Sequence, residues 1–148
     1  MTATSEKNFK THFINFKEDC YISPFLRYYI NMLQKKYRLK KYSAFAATYK
    51  IKNLVADSNM CIYFGKEKTN PDITTKIAFV VSKKIHKRAV VRNRIKRLMR
   101  ESFRLLLKEN KVDNINKYLS VICVAKKSAI NAPFHEIDNS LVCLLSKK

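Results

Sequence analysis

Four basic side chains recur at every fourth position between residues 92 and 104, and their chemistry suits phosphate binding. They are Arg92, Lys96, Arg100 and Arg104. Residues four apart lie on one side of an α-helix, so these cations would stand in a row and repel one another. Phosphate groups between the cations relieve that repulsion, and the planar guanidinium of arginine can donate two parallel hydrogen bonds to phosphate oxygens. The spacing therefore predicts a surface for a polyanion.

Positive charge is concentrated around this row. Between Thr74 and Lys108 there are twelve lysines and arginines and a single acidic residue, Glu101. A second block, residues 35–56, carries seven basic residues and no acidic one, and the net charge of the 148 residues is +20. So high a charge disfavours the compact state through self-repulsion, which a polyanionic partner offsets. We expect that partner to be RNA.

A long helix, from about Ala89 to Lys108, is predicted to carry the row. At about 100° per residue, its apolar and basic residues fall on opposite halves of the helical wheel. The half predicted to face the core contains Val91, Ile95, Leu98, Met99, Ser102, Phe103, Leu105 and Leu106. The half predicted to face solvent contains Arg92, Asn93, Lys96, Arg97, Arg100 and Arg104.

The remaining pattern predicts an α+β sandwich in the order α-β-β-α-β-α, with a mixed, mainly antiparallel sheet of about four strands. Ser43 is expected to cap a short helix over residues 44–50. Strands over residues 60–64 and 76–82 are expected to form a hairpin around a turn at residues 69–72. The run 118–125 is expected to be a central strand, and a last helix is predicted from Pro133 to Leu145.

The chain divides into an N-terminal extension, residues 1–34, and one domain, residues 35–148. Ser23 and Pro24 predict the start of a short helix in the extension, running to Lys36. No apolar run reaches the roughly 18 residues that span a membrane, and the N-terminus lacks a signal-peptide core. We therefore predict a cytoplasmic protein with no membrane partner.

Several kinds of site are disfavoured by composition. Cys20, Cys61, Cys123 and Cys143 are far apart and have neither zinc-site nor disulfide spacing, and the three histidines are equally scattered. With one glycine in the chain, Gly65, a phosphate-binding glycine loop is excluded. A metal-dependent nuclease would need clustered carboxylates, which the basic segment does not offer.

Three aromatic residues are candidates for contact with unpaired bases. Phe45 and Tyr49 are four apart on the predicted short helix, and Tyr63 lies in the strand that follows. Aromatic rings can form a stacking platform for bases, or they can simply pack in the core. Both interpretations remain open from the residues alone.

Two motifs resemble the signature of the protein subunit of bacterial ribonuclease P. They are Val81-Ser82-Lys83-Lys84 and the run from Ala89 to Arg104, AVVRNRIKRLMRESFR. Arg38-Leu39 followed by Phe45, and Val124-Ala125-Lys126-Lys127, are similar to other parts of that family, so the resemblance covers about residues 35–146. It implies a left-handed crossover around the long helix.

The resemblance also implies a function. Proteins of this family bind a catalytic RNA and, with it, remove the 5′ leader from precursor tRNA. The RNA subunit performs the hydrolysis and holds most of the Mg²⁺, so no catalytic residue and no metal site is expected in the protein alone. The partners implied are the catalytic RNA and precursor tRNA, not DNA.

Site residues follow from the same resemblance. Phe45, Tyr49 and Tyr63 would line a cleft for the single-stranded leader. RNA contacts are expected from Arg38, Lys83, Lys84, Arg88, Arg92, Asn93, Arg94, Lys96, Arg97, Arg100, Arg104 and Lys126.

The chain departs from the family pattern at two positions. His86 stands where glycine is frequent, which could stiffen the loop, and Lys126 stands where arginine is usual, which loses the forked geometry. A ribosomal or RNA-chaperone protein remains the alternative function. A DNA-binding helix-turn-helix fits less well, because strands flank the long helix.

Overall fold

The computed structural model describes residues 33–109 and 113–147. The helix predicted to begin at Ser23 therefore starts outside the described residues, and its expected end lies in a 3-10 turn, Lys35–Tyr37. A second 3-10 turn is Lys127–Ile130. In chain order the other elements are α1 (Tyr42–Ile51), β1 (Asn53–Ala56), β2 (Met60–Phe64), β3 (Lys76–Val80), α2 (Ala89–Lys108), α3 (Asp113–Asn116), β4 (Ser120–Ala125) and α4 (Phe134–Ser146).

The sheet has four strands in the order β1-β2-β4-β3. β2 pairs antiparallel with β1 and with β4, while β3 pairs parallel with β4. The mixed, mainly antiparallel sheet and the central position of β4 are thus confirmed. The parallel pair requires a crossover, which α2 supplies, and its left hand stays a prediction.

The predicted hairpin between β2 and β3 is wrong, because β4 lies between these two strands. The antiparallel neighbour of β2 is β1, a strand of four residues that the sequence pattern did not indicate. The turn at Asn70 does form, since its side-chain oxygen accepts a hydrogen bond from the Asp72 amide. It lies within a longer connection that carries the chain past β4 to the far side of the sheet.

α2 and α4 pack on one face of the sheet and form the core with it. Strand β2 shows the alternation: Met60, Ile62 and Phe64 are fully buried, while Cys61 and Tyr63 are half-buried on the other face. Phe79 of β3 contacts Phe103 of α2, with ring centroids 6.0 Å apart. The buried positions of α2 are Ile95, Leu98, Met99, Ser102, Phe103 and Leu106, all on the predicted apolar half.

α1 packs on the opposite face of the sheet. It begins at Tyr42, not after Ser43, and its N-cap is Lys41, which provides no side-chain hydrogen bond. Ser43 lies inside the first turn and does not cap the helix. The helix ends at Lys52, whose left-handed φ of 57° is the only positive value at a non-glycine position in the described part of the chain.

Other element boundaries differ from the predictions by one or two residues. β3 ends at Val80 and β4 begins at Ser120, while α4 extends one residue past the predicted end and has Pro133 as its N-cap. Within residues 33–109 and 113–147, none of the helices combines the length and apolar character needed to cross a bilayer.

Candidate nucleic-acid interface

The basic row lies on the side of α2 that faces away from the core. Asn93, Arg94 and Arg97 are exposed, and the other members of the row are partly exposed. No apolar residue of the predicted core half is fully exposed, although Val91 and Leu105 are only half-buried. The predicted one-sided distribution of charge is therefore present in the folded helix.

Arg92 holds the loop that precedes α2. Its Nη1 donates to the carbonyl oxygen of His86 at 2.8 Å and to that of Lys87 at 2.5 Å. The guanidinium is thus engaged with the protein's own backbone. Its structural task is to fix the loop beside the helix, while its remaining donors face outward with the row.

The loop itself, residues 82–88, is a chain of local hydrogen bonds. The Ile85 amide donates to the Ser82 carbonyl, the Lys84 amide donates to Ser82 Oγ, and the Arg88 amide donates to His86 Nδ1. Lys83, Lys84 and Arg88 are exposed, so their charges are presented to solvent next to the row. His86 has no positive φ, so the backbone here does not require the glycine that is frequent in related proteins.

Arg104 is occupied by an acidic neighbour. Its Nε and Nη2 donate to the two carboxylate oxygens of Glu101, at 2.9 Å and 2.5 Å. This pairing raises the pKa of Arg104. Because Glu101 is the acidic residue of α2, its engagement with Arg104 leaves Arg97 and Arg100 without carboxylate neutralisation along the helix.

α1 crosses the sheet diagonally, and three successive contacts define its path. Phe45 lies near β3, Thr48 bonds to Ser120 of β4, and Tyr49 meets Tyr63 of β2. The Tyr49 and Tyr63 rings are 4.8 Å apart at 73°, an edge-to-face contact. Burial, with smaller effects from Tyr63 and Cys61, raises the pKa of Tyr49.

The three aromatic residues therefore do not form one cluster. Tyr49 and Tyr63 are in contact, and Tyr49 keeps 37% of its surface exposed. Phe45, one turn earlier, lines a separate pocket of about 480 Å³ at the edge of β3. The polar wall of that pocket includes Arg38 and Arg100, and Ala78 of β3 forms part of its apolar floor.

Arg38 reaches this edge because its segment continues the sheet. It forms an isolated parallel bridge with Ile77, and the Leu39 amide donates to the Ile77 carbonyl at 2.9 Å. The Arg38 Nε donates to the carbonyl of Leu33 at 3.0 Å. Arg38 and Arg100, predicted from different parts of the sequence, are thus brought to one pocket.

Lys126 lies at the far end of β4, away from that pocket. Its Nζ donates to the Asp57 carbonyl at 2.5 Å, and its amide donates to the Asn59 carbonyl. Its charge acts on Cys61, which belongs to the same sheet face as Tyr63. Burial raises the pKa of Cys61 and outweighs the opposing effect of Lys126.

The half of the sheet that α1 does not cover is partly apolar. Leu54 and Ala56 of β1 are exposed on this face, and Cys61 and Val124 are half-buried beside them. Together with the Tyr49–Tyr63 pair they outline a shallow cleft between α1 and the sheet. Such a surface can take planar bases, while the exposed lysines around it can take phosphates.

Thr48, Ser120 and Gly65 position this cleft, and sequence reasoning did not single them out for that role. Thr48 and Ser120 share a buried hydrogen bond, and Gly65 packs so closely on Ser120 that an added Cβ would lie 2.2 Å from its Oγ. The available signals were weak: a threonine among alanines on α1, and the chain's single glycine just after β2. Their proximity is a product of the tertiary fold.

No described group of three or more His, Cys, Asp or Glu side chains is arranged to hold a metal ion. Cys123 is fully buried, and burial, with a smaller contribution from Cys61, raises its thiol pKa to about 12. Cys61, Cys123 and Cys143 are free thiols. The arrangement therefore offers cations, aromatic rings and a groove for binding.

The family model for Ribonuclease P matches residues 33–148. The ribonuclease P protein component of Listeria monocytogenes serotype 4a is 37% identical over 113 residues, which is 76% of this chain and 88% of the relative. That of Clostridium kluyveri is 36% identical over 111 residues, covering 75% of this chain and 93% of the relative.

Solved structures agree with these sequences. The Staphylococcus aureus RNase P protein superposes with a TM-score of 0.60 at 30% identity, covering 75% of this chain and 94% of that one. The RNase P protein from Thermotoga maritima has the same fold, with a TM-score of 0.61 at 21% identity, 75% of this chain and 96% of that one being covered. The chain belongs to the ribonuclease P protein family, the protein component of the holoenzyme that acts in tRNA 5′ processing, and RNA is its partner.

Proposed function

We propose that the protein binds the catalytic RNA of ribonuclease P through α2 and the loop before it, and holds the single-stranded leader of precursor tRNA against α1 and the sheet. The observation that carries this proposal is the separation of two surfaces. The exposed cations Lys83, Lys84, Arg88, Arg94 and Arg97 surround the start of α2, whereas Tyr49 and Tyr63 lie on the other sheet face.

The basic surface suits a folded RNA. A-form RNA is recognised mostly through phosphates and 2′-hydroxyls, and exposed lysines and arginines supply such contacts without reading base sequence. The loop is prearranged by Arg92, so its lysines lose little freedom when they meet phosphate. Asn93 and Lys96 extend the same surface along α2.

The aromatic cleft suits a single strand. Unpaired bases stack on exposed aromatic rings, at roughly 1–3 kcal/mol per base. Tyr49 presents such a surface, and its contact with Tyr63 fixes the ring orientation. The exposed Leu54 extends the apolar area beyond the tyrosines.

Hydrolysis would then belong to the RNA. The described side chains bring no carboxylate cluster together, and Glu101 is engaged by Arg104. We propose that Mg²⁺ is held mainly by the catalytic RNA and that the protein alone binds none. The protein would act in the cytoplasm on precursor tRNA, with no DNA or membrane partner. The extension, residues 1–34, would lie outside the functional domain, residues 35–148.

Reconstitution tests this proposal. The purified protein is expected to cleave no precursor tRNA alone, and to restore leader removal at low Mg²⁺ when added to the cognate catalytic RNA. The magnesium concentration required for half-maximal cleavage is measured with and without protein. Cleavage by protein without RNA, or an unchanged magnesium requirement, would overturn the proposal.

A further inference from the structure

The pocket at the edge of β3 joins the two surfaces. Phe45 comes from α1, Ala78 from β3 and Arg100 from α2, while Arg38 lies in the segment that pairs with β3. Its volume of about 480 Å³ is within the range of small-ligand pockets. It combines an aromatic ring, an apolar floor and guanidinium groups in one place.

The charges at this pocket favour an anion. Burial lowers the pKa of Arg100, and the neighbouring charges of Arg38 and Arg97 lower it further, so three cations lie close together. No acidic residue lines the pocket. Glu101 is held by both donors of Arg104, and so it does not neutralise Arg97 or Arg100. A phosphate among these guanidinium groups would relieve their repulsion and accept forked hydrogen bonds.

The pocket also lies on the path of the proposed cleft. Ala78 of the pocket and Tyr63 of the cleft are both in register with Ile122 of the central strand, one on each side. Two strand spacings separate them, about 10 Å. One extended strand of RNA can therefore contact the tyrosine pair and the pocket together.

We propose that this pocket takes one nucleotide of the leader, with its phosphate between Arg38 and Arg100 and its base against Phe45. This inference rests on the proposed leader binding. It assigns Arg38 and Arg100 to the substrate, whereas the cations at the start of α2 contact the catalytic RNA. The inference thus divides the basic row of α2 between two RNA partners.

The test compares precursor tRNAs in which single leader phosphates are replaced, one at a time, by uncharged methylphosphonates. Each is bound to holoenzyme reconstituted with catalytic RNA and either the wild-type protein or Arg100→Gln. For the wild type, replacement at one leader position is expected to weaken binding roughly tenfold. For Arg100→Gln, binding of unmodified precursor should fall by a similar factor and lose its sensitivity to that position.

Two further variants serve as controls. Arg94→Gln removes an exposed charge of the same helix that does not line the pocket, so the sensitivity to the leader position should remain. Arg100→Lys keeps the charge without the fork, so an intermediate sensitivity is expected.

Unchanged positional sensitivity in Arg100→Gln would overturn the inference, as would an equal loss of affinity for leaderless tRNA. If leader affinity still depends on Phe45 in that case, only the pocket assignment fails. If wild-type holoenzyme binds precursor and leaderless tRNA equally, the proposed function fails as well.

Discussion

The hydroxyl oxygens of Thr48 on α1 and Ser120 on β4 lie 2.6 Å apart in a buried hydrogen bond. Thr48 Oγ1 also donates to the Ala44 carbonyl at 2.7 Å. A hydroxyl has one proton, so Ser120 is the donor in the bond between them. This contact ties α1 to the central strand and sets the distance between helix and sheet that the cleft requires.

Replacing Thr48 by valine keeps the shape of the side chain but removes the acceptor. Thr48→Val should lower the free energy of unfolding by roughly 1–3 kcal/mol, because the Ser120 hydroxyl is left buried without its partner. The double variant with Ser120→Ala should lose less than the sum of the single variants, by on the order of 1 kcal/mol. Urea unfolding of the four proteins measures this coupling. Strict additivity would show that the bond does not contribute.

Gly65 leaves the space that Ser120 occupies. A Cβ at residue 65 would lie 2.2 Å from Ser120 Oγ and 3.0 Å from the Ser120 carbonyl oxygen. Gly65→Ala should therefore destabilise the protein by roughly 1–3 kcal/mol through overpacking. Ser120→Ala should recover part of this loss, since it removes the closest atom. The unfolding midpoints of the single and double variants provide the comparison, and no recovery would place the clash elsewhere.

Local patterns predicted the helices better than the strand pairing. α2 begins and ends at Ala89 and Lys108 as expected, because its apolar period persists over 20 residues. β1 has only four residues, and two of them, Leu54 and Ala56, are exposed, so it lacked a distinct signal. The hairpin prediction failed because the partner of β2 is decided by β4, which lies more than 50 residues later in the chain.

The basic residues show a similar division. Their presence on one side of α2 could be predicted from spacing, but their individual tasks could not. Arg92 donates to loop carbonyls and Arg104 to a carboxylate, while Arg100 lines a pocket with Arg38. Each of these relationships depends on where the folded chain places an acceptor or a neighbouring segment.

Arg92 and Arg94 should therefore behave differently when each is replaced by alanine. Arg94→Ala should remove about one phosphate contact and flatten the slope of log K against log salt by roughly 0.7–0.9. Arg92→Ala should flatten it further, because the loop that presents Lys83 and Lys84 loses its support. Binding of the catalytic RNA over a range of salt concentrations measures both slopes. An effect of Arg92→Ala no larger than that of Arg94→Ala would argue against a loop-holding role.

The cysteines should react with an alkylating reagent in a fixed order. Only the thiolate reacts, so a raised pKa slows modification at a given pH. On a Cys20→Ser background, exposed Cys143 should react first and half-buried Cys61 more slowly. Cys123, with a thiol pKa of about 12, should react only on unfolding. Mass spectrometry after timed labelling gives the order, and early labelling of Cys123 would contradict the buried position of β4.

The affinity of holoenzyme for precursor tRNA with and without its leader tests the central claim most directly. Phe45→Ala is compared with Tyr42→Ala, which alters an 87% exposed ring of the same helix outside the pocket. Phe45→Ala should weaken binding of leader-bearing tRNA by roughly 5- to 150-fold, as expected for the loss of one stacked base, and leave leaderless tRNA unaffected. Tyr42→Ala should change neither affinity. Equal losses for both tRNAs in Phe45→Ala would contradict leader binding and assign Phe45 to packing alone.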